Sequence, residues 1–157
     1  MIYVLDTNIF RTLLNFFPKK GKRYEEVWEK IDLMIAAGKL ISVDECYNEL
    51  EKQFSDKSEQ YEWFHERKDM FKNPDNDESI IISHLLRNPK MRETIHTKNI
   101  LENRPSADIY IVAKAKALKA TAVTSENYKP NSAQLPNLCK EVDVPCISYD
   151  DFMEIVS

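Results

Sequence analysis

Glycine is almost missing from this chain: Gly21 and Gly38 are the only two in 157 residues. Neither G-x-G-x-x-G nor G-x-x-x-x-G-K-[ST] can be built from them, which excludes the glycine-rich loops that cradle nucleotide phosphates. Cysteine is scarce as well. Cys46, Cys139 and Cys146 are odd in number and form no Cys-x-x-Cys. They read as reduced thiols in a cytoplasmic protein, not as a disulfide framework or a zinc site. No apolar run approaches the roughly 20 residues needed to cross a bilayer, so no membrane association is expected. Ile2–Leu5 is too short, and wrongly flanked, for a secretory signal. Positive charge is not in excess either. A net charge of −4 argues against nucleic acid held by bulk charge alone, and leaves room for a local basic patch or a metal.

What is present is the balance of a globular protein, with 43% hydrophobic and 31% charged residues. A chain of this length is read as a single domain, residues 1–157. Ile2-Tyr3-Val4-Leu5 is an apolar run without alternation, as in a strand buried on both faces of a parallel sheet. It stops at Asp6. Thr7 and Asn8 can cap the following helix, whose inward positions read as Ile9, Leu13, Phe16 and Phe17. Pro18 to Arg23 is a basic loop. A second helix carries Tyr24, Val27, Trp28, Ile31, Met34 and Ile35 on one stripe and ends at Gly38. Lys39–Ile41 reads as a strand. Ser42 with Glu45 reads as a capping box that opens a helix with Val43, Cys46, Tyr47, Leu50 and Phe54 inward. At 100° per residue, Glu49 falls on the border of that face.

Ser58 to Phe71 reads as one helix with Tyr61, Trp63 and Phe64 inward. Asn73 to Asp77 is a turn, and a helix through Ile80, Ile81, Leu85 and Leu86 follows until Asn88-Pro89 interrupts. From Arg87 to Arg104 the balance turns basic: Arg87, Lys90, Arg92, Lys98 and Arg104 face only Glu93 and Glu102. This is the best candidate for a phosphate-facing patch. Ser106 caps the most apolar helix, with Asp108 at its second position and only Lys114 and Lys116 polar within it. Thr121–Thr124 is a strand followed at once by Glu126. Leu135–Glu141 is a helix with Pro136 near its start, Val144–Ile147 a last strand, and Ser148 the cap of a final helix through Phe152 and Ile155. Strands alternating with helices give an α/β fold around a parallel sheet, with a helical insertion at about 55–100.

Asp6 and Glu126 follow strand ends, Asp108 begins a buried helix, and Glu49 lies further along another. In a parallel sheet those positions share one edge, where ligands bind. Clustered carboxylates repel, and a divalent cation is the usual resolution. Oxygen donors alone favour Mg²⁺ or Mn²⁺ over zinc. His65, His84 and His96 lie on helices and are read as ordinary surface or core residues.

Several motifs together resemble the PIN-domain family of metal-dependent ribonucleases, many of them toxins of toxin–antitoxin pairs. Tyr3-Val4-Leu5-Asp6-Thr7-Asn8 resembles the family's opening strand and first acid. Ser42 with Glu49-Leu50 resembles the helix of the second. Ala107-Asp108 with Ile111, Ala113, Ala115 and the strand Ala122-Val123-Thr124 resembles the third, and Thr124-Ser125-Glu126 the fourth. The resemblance implies a three-layer fold with a central parallel sheet of about four to five short strands between helices. It implies Mg²⁺ or Mn²⁺ on Asp6, Glu49, Asp108 and Glu126, with Asn8 and Thr124 orienting ligands or water. It also implies an RNA substrate cut to 5′-phosphate and 3′-hydroxyl ends, a cognate antitoxin protein and a homodimer. Two features depart from the family. Glu126 stands where Asp is commoner, which leaves ligation directly or through water open, and the stretch between Glu49 and Asp108 is long. An aspartyl phosphatase would need an acid at position 8 as proton donor, and Asn8 cannot serve. The remaining rival is a PIN-like module that binds RNA or protein without catalysis.

Overall fold

The computed structural model describes residues 1–16, 21–101 and 106–157. Phe17, Pro18–Lys20 of the basic loop, and Glu102, Arg104 and Pro105 lie outside them. The chain runs β1 (Tyr3–Leu5), α1 (Thr7–Phe16), α2 (Lys22–Ala36), β2 (Leu40–Val43), α3 (Asp44–Gln53) and α4 (Glu59–Glu66). After a 3₁₀ turn at Lys68–Met70 come β3 (Phe71–Lys72), α5 (Asn76–Arg87), α6 (Pro89–Leu101) and α7 (Asp108–Leu118). The remainder is β4 (Thr121–Val123), α8 (Leu135–Glu141), β5 (Cys146–Ile147) and α9 (Tyr149–Val156). The five strands form one parallel sheet in the order β3-β2-β1-β4-β5, as expected of a PIN-like α/β fold. The chain builds outward from β1 to β2 and β3, then returns to place β4 on the other side of β1. The gap between β1 and β4 is therefore the topological switch point, the position where such sheets bind ligands.

The core explains this layering. Val4, Leu5, Leu40, Ala122 and Val123 in the sheet have no exposed surface, and neither do Ile111, Val112, Ala113 and Ala115 of α7. Small alanines let α7 lie close against β1, β2 and β4, while its other side takes α5 and α8. Gly38 has φ +69° and follows the end of α2, where its N–H reaches the Ile35 carbonyl and the Lys39 N–H that of Met34. That pair of bonds is a Schellman ending, and it turns the chain directly into β2.

Several local expectations change. Ser42 is not a cap: β2 runs through Val43, and the fully buried Ser42 hydroxyl donates to the Leu5 carbonyl at 2.7 Å. Pairing of Ser42–Val43 with Phe71–Lys72 keeps the chain extended there. The expected 58–71 helix ends at Glu66. Arg67 leaves it to grip Asp32 with Nε at 2.8 Å and Nη2 at 3.0 Å, its guanidinium over Trp63. Phe71 can then drop between Phe10 and Tyr47, with ring centroids 5.2 and 5.3 Å away, and make the edge strand. Phe16 points outward at 79% exposure, while Phe10 and Leu14 take the inward places of α1. Lys114 is buried. It pairs with buried Glu78 of α5 and donates to the Asn73 carbonyl at 2.9 Å. All three cysteines are free thiols. Among the described residues no helix is long and apolar enough to cross a membrane.

Candidate metal centre

β1 ends at Leu5, so Asp6 is delivered to the switch-point edge and is 4% exposed. Its N–H donates to the Val123 carbonyl at 2.9 Å, which ties it to the end of β4. Both carboxylate oxygens are held. Oδ1 accepts the Thr7 N–H at 2.7 Å, and Oδ2 accepts the Thr124 hydroxyl at 2.8 Å and the Asn8 amide at 3.2 Å. Asn8 and Thr124 thus both hold the Asp6 carboxylate. Asn8 also accepts the Ser125 N–H at 3.1 Å, and the Thr124 hydroxyl accepts the Glu126 N–H at 3.1 Å. One small network therefore fixes the turn that presents Glu126.

Asp108 opens α7, first in the helix and not second, with its N–H bonded to the Ser106 hydroxyl at 3.2 Å. One candidate ligand atom from each of Asp6, Asp108 and Glu126 lies within 4.8 Å of the others. Glu49 falls outside that group. The Thr7 hydroxyl donates to Glu49 Oε2 at 2.6 Å, so Thr7 bridges Asp6 and Glu49 with its N–H and its O–H. Asp6, Thr7, Glu49, Asp108, Glu126 and Gln134 face a common open cavity of about 270 Å³, with Arg11 and Gln53 at its rim.

The electrostatics mark this cluster as crowded with like charge. Burial, then Asp108, then Glu126 raise the Asp6 carboxyl well above its ordinary range, partly opposed by the Thr124 hydroxyl and the Thr7 N–H. Burial and then Asp108 raise Glu126, and Lys98 opposes them. Lys98 is what the sequence reading missed. It belongs to the basic run expected to face phosphate, yet its ammonium turns inward to Asp108 Oδ2 and to Glu126 Oε2 at 3.2 Å. Its sequence neighbourhood holds no signal of that, because the partners come from α7 and the turn after β4. Arg87, Lys90 and Arg92 of the same run are exposed. Thr7, read only as a cap, was missed as the bridge between two acids. His84 and His96 are exposed, and His65 bonds to the Tyr47 hydroxyl at 2.8 Å.

Oxygen-only donors at this spacing fit a hard divalent cation. The fold has solved counterparts. A chain of VapBC2 from Rickettsia felis, solved bound to a DNA fragment from its promoter, is 18% identical, with 94% of this chain and 98% of that one covered at a TM-score of 0.52. A chain of VapBC-1 from nontypeable Haemophilus influenzae is 16% identical, with 96% and 99% covered at a TM-score of 0.55. At these identities the likeness is one of fold, and the fold is the PIN-like one. No curated protein matches the chain. A family model does match, over residues 3–156, and the chain belongs to that family, described as Domain of unknown function (DUF4411).

Proposed function

We propose that this protein is a divalent-metal-dependent endoribonuclease, the toxin of a toxin–antitoxin pair. The observation that carries the reading is the convergence of Asp6, Asp108 and Glu126 within 4.8 Å at the switch point of a PIN-like sheet. Asp6 and Asp108 would hold Mg²⁺ or Mn²⁺, with Glu126 as the third donor, directly or through water. Glu49 would act from the same cavity through Thr7. A bound divalent cation supplies positive charge that acidifies water and offsets charge developing on a phosphodiester. The protein's own share is orientation. Thr124, Asn8 and the Thr7 N–H hold both Asp6 oxygens, so the carboxylate is oriented before a cation arrives. Arg11, exposed beside the cavity, would meet an RNA phosphate. The products would carry 5′-phosphate and 3′-hydroxyl ends. Likeness of fold to chains of VapBC complexes supports a cognate antitoxin as partner, and a homodimer and a cytoplasmic setting follow from the same reading.

Asp6→Asn and Asp108→Asn should each lower Mn²⁺-dependent cleavage of a structured RNA by about a thousandfold, equivalent to about 4 kcal/mol of barrier. Circular dichroism should show both variants folded. Wild-type rates in either variant would sink the site assignment. One observation favours a second reading, a PIN-like module without catalysis: the Lys98 ammonium already compensates part of the acid cluster. That reading requires that Mn²⁺ leave the melting temperature unmoved, whereas a metal centre requires a rise.

A further inference from the structure

We propose that Lys98 is a built-in competitor for the divalent cation: its ammonium holds the acid cluster in the metal-free protein, and a metal ion enters by turning it out. This rests on the reading of Asp6, Asp108 and Glu126 as the metal centre.

The ammonium touches two of the three clustered carboxylates, Asp108 and Glu126. It is not a surface lysine swinging past them, since its side chain is only 13% exposed. On its far side the Ala133 carbonyl at 3.3 Å and Gln134 Oε1 at 3.5 Å complete a set of acceptors around it. An ammonium and a divalent ion on the same carboxylate oxygens repel at such range, so each weakens the other's hold. The balance between them is set by charge. Among the described residues the cluster sets three carboxylates against one ammonium, and a divalent ion contributes twice that charge at shorter range. Metal–oxygen contacts of about 2.0–2.1 Å compare with about 2.7–2.9 Å for an ammonium hydrogen bond.

The helix that carries Lys98 is lightly held. Ile95 is its one buried residue among those described, and its packing is mainly on α5. Ile100 and Leu101 at its end are 65% and 81% exposed. Asn99, beside Lys98, accepts the Ser106 N–H at 2.9 Å, two residues before Asp108, so the helix is pinned at the mouth of the site itself. Turning out Lys98 therefore disturbs little of the core. What it breaks is the contact that closes the acid cluster.

Two measurements test this. In the first, Mn²⁺ affinity is measured by loss of the free-ion electron paramagnetic resonance signal for wild type, Lys98→Gln and Lys98→Arg. Removing the competing charge should tighten Mn²⁺ binding by about tenfold or more, and Lys98→Arg, which keeps the charge, should stay near wild type. In the second, which needs no variant, the wild-type chain is acylated with an amine-reactive ester and the Lys98 peptide is followed by mass spectrometry. Lys98 should react slowly without metal and several-fold faster with saturating Mn²⁺. Equal Mn²⁺ affinity in Lys98→Gln, or a Lys98 that acylates no faster with Mn²⁺, overturns the competitor while leaving the metal centre standing. Absence of Mn²⁺ binding in wild type and Lys98→Gln alike overturns the metal centre and the competitor with it.

Discussion

Two lysines meet carboxylates beside α7, and their surroundings differ in charge balance. Lys114 projects from the middle of the helix to Glu78, one cation against one anion, with side chains 7% and 2% exposed. Around that pair Asn73 offers its carbonyl to Lys114, and Glu78 Oε2 accepts the Asp75 N–H at 2.7 Å as part of the capping box of α5, while Glu78 Oε1 meets the Lys114 ammonium as an ion pair. Lys98 instead approaches the start of α7, where one ammonium meets an excess of carboxylates at the edge of an open cavity. The first arrangement is closed and ties two helices together. Among the described residues the second is left short of positive charge, and that shortage is what a divalent cation would relieve. Burial of a lysine beside an acid thus says little about its role until the charges around it are counted.

The comparison can be broken most forcefully at its closed end. Lys114→Met should lower unfolding free energy by about 3–5 kcal/mol in a denaturant titration, because Glu78 is left buried and unpaired. It should leave Mn²⁺ affinity unchanged. A shift in affinity would mean that the two clusters are not independent. At the open end, Thr7→Val keeps the shape of the side chain but removes the hydroxyl that positions Glu49. Mn²⁺ affinity should fall by about 10–100-fold in the same resonance assay, the usual range for a group that orients ligands. Unaltered affinity would leave Glu49 a bystander in the cavity.

The smallest effect concerns a third crowded place. Asp44 and Glu45 stand together at the start of α3, and Asp44 Oδ1 and Glu45 Oε2 are buried with no hydrogen-bond partner among the described residues. Burial first, then Asp44, lifts the Glu45 carboxyl from 4.5 to about 7. The folded protein therefore holds that proton more tightly than the unfolded chain does. Its stabilising contribution is complete below about pH 4.5 and is lost as pH rises through about 7. Glu45→Gln should remove that slope, a difference of at most about 1 kcal/mol for a partly solvated group. Melting temperatures of the two proteins that run parallel between those pH values would show that the Glu45 carboxyl is not raised by the fold.

Much of the acid cluster was legible because strand ends and helix starts are local features. An apolar run halting at Asp6, and another halting just before Glu126, mark one edge of a parallel sheet without any knowledge of the fold. The angular position of Glu49 on α3 likewise placed it at the border of the buried face, and it is 9% exposed. What could not be read was set by partners far along the chain. β3 is two residues long, too short for periodicity, and exists because Phe71 finds Phe10 and Tyr47. Ser42 carries the composition of a cap but spends its hydroxyl on the Leu5 carbonyl of the neighbouring strand. Lys98 and Lys114 look like solvated charges in sequence, and only tertiary pairing with Asp108, Glu126 and Glu78 draws them inward.

The strand order has a consequence in time. Asp6 is made well before its partners: its bond to Thr124 spans 118 positions of the chain, and Glu126 lies further still. No N-terminal fragment short of β4 contains both sides of the switch point, and contacts of such long range form late. During synthesis the acid cluster is therefore divided, and it closes only when the returning chain lays β4 beside β1.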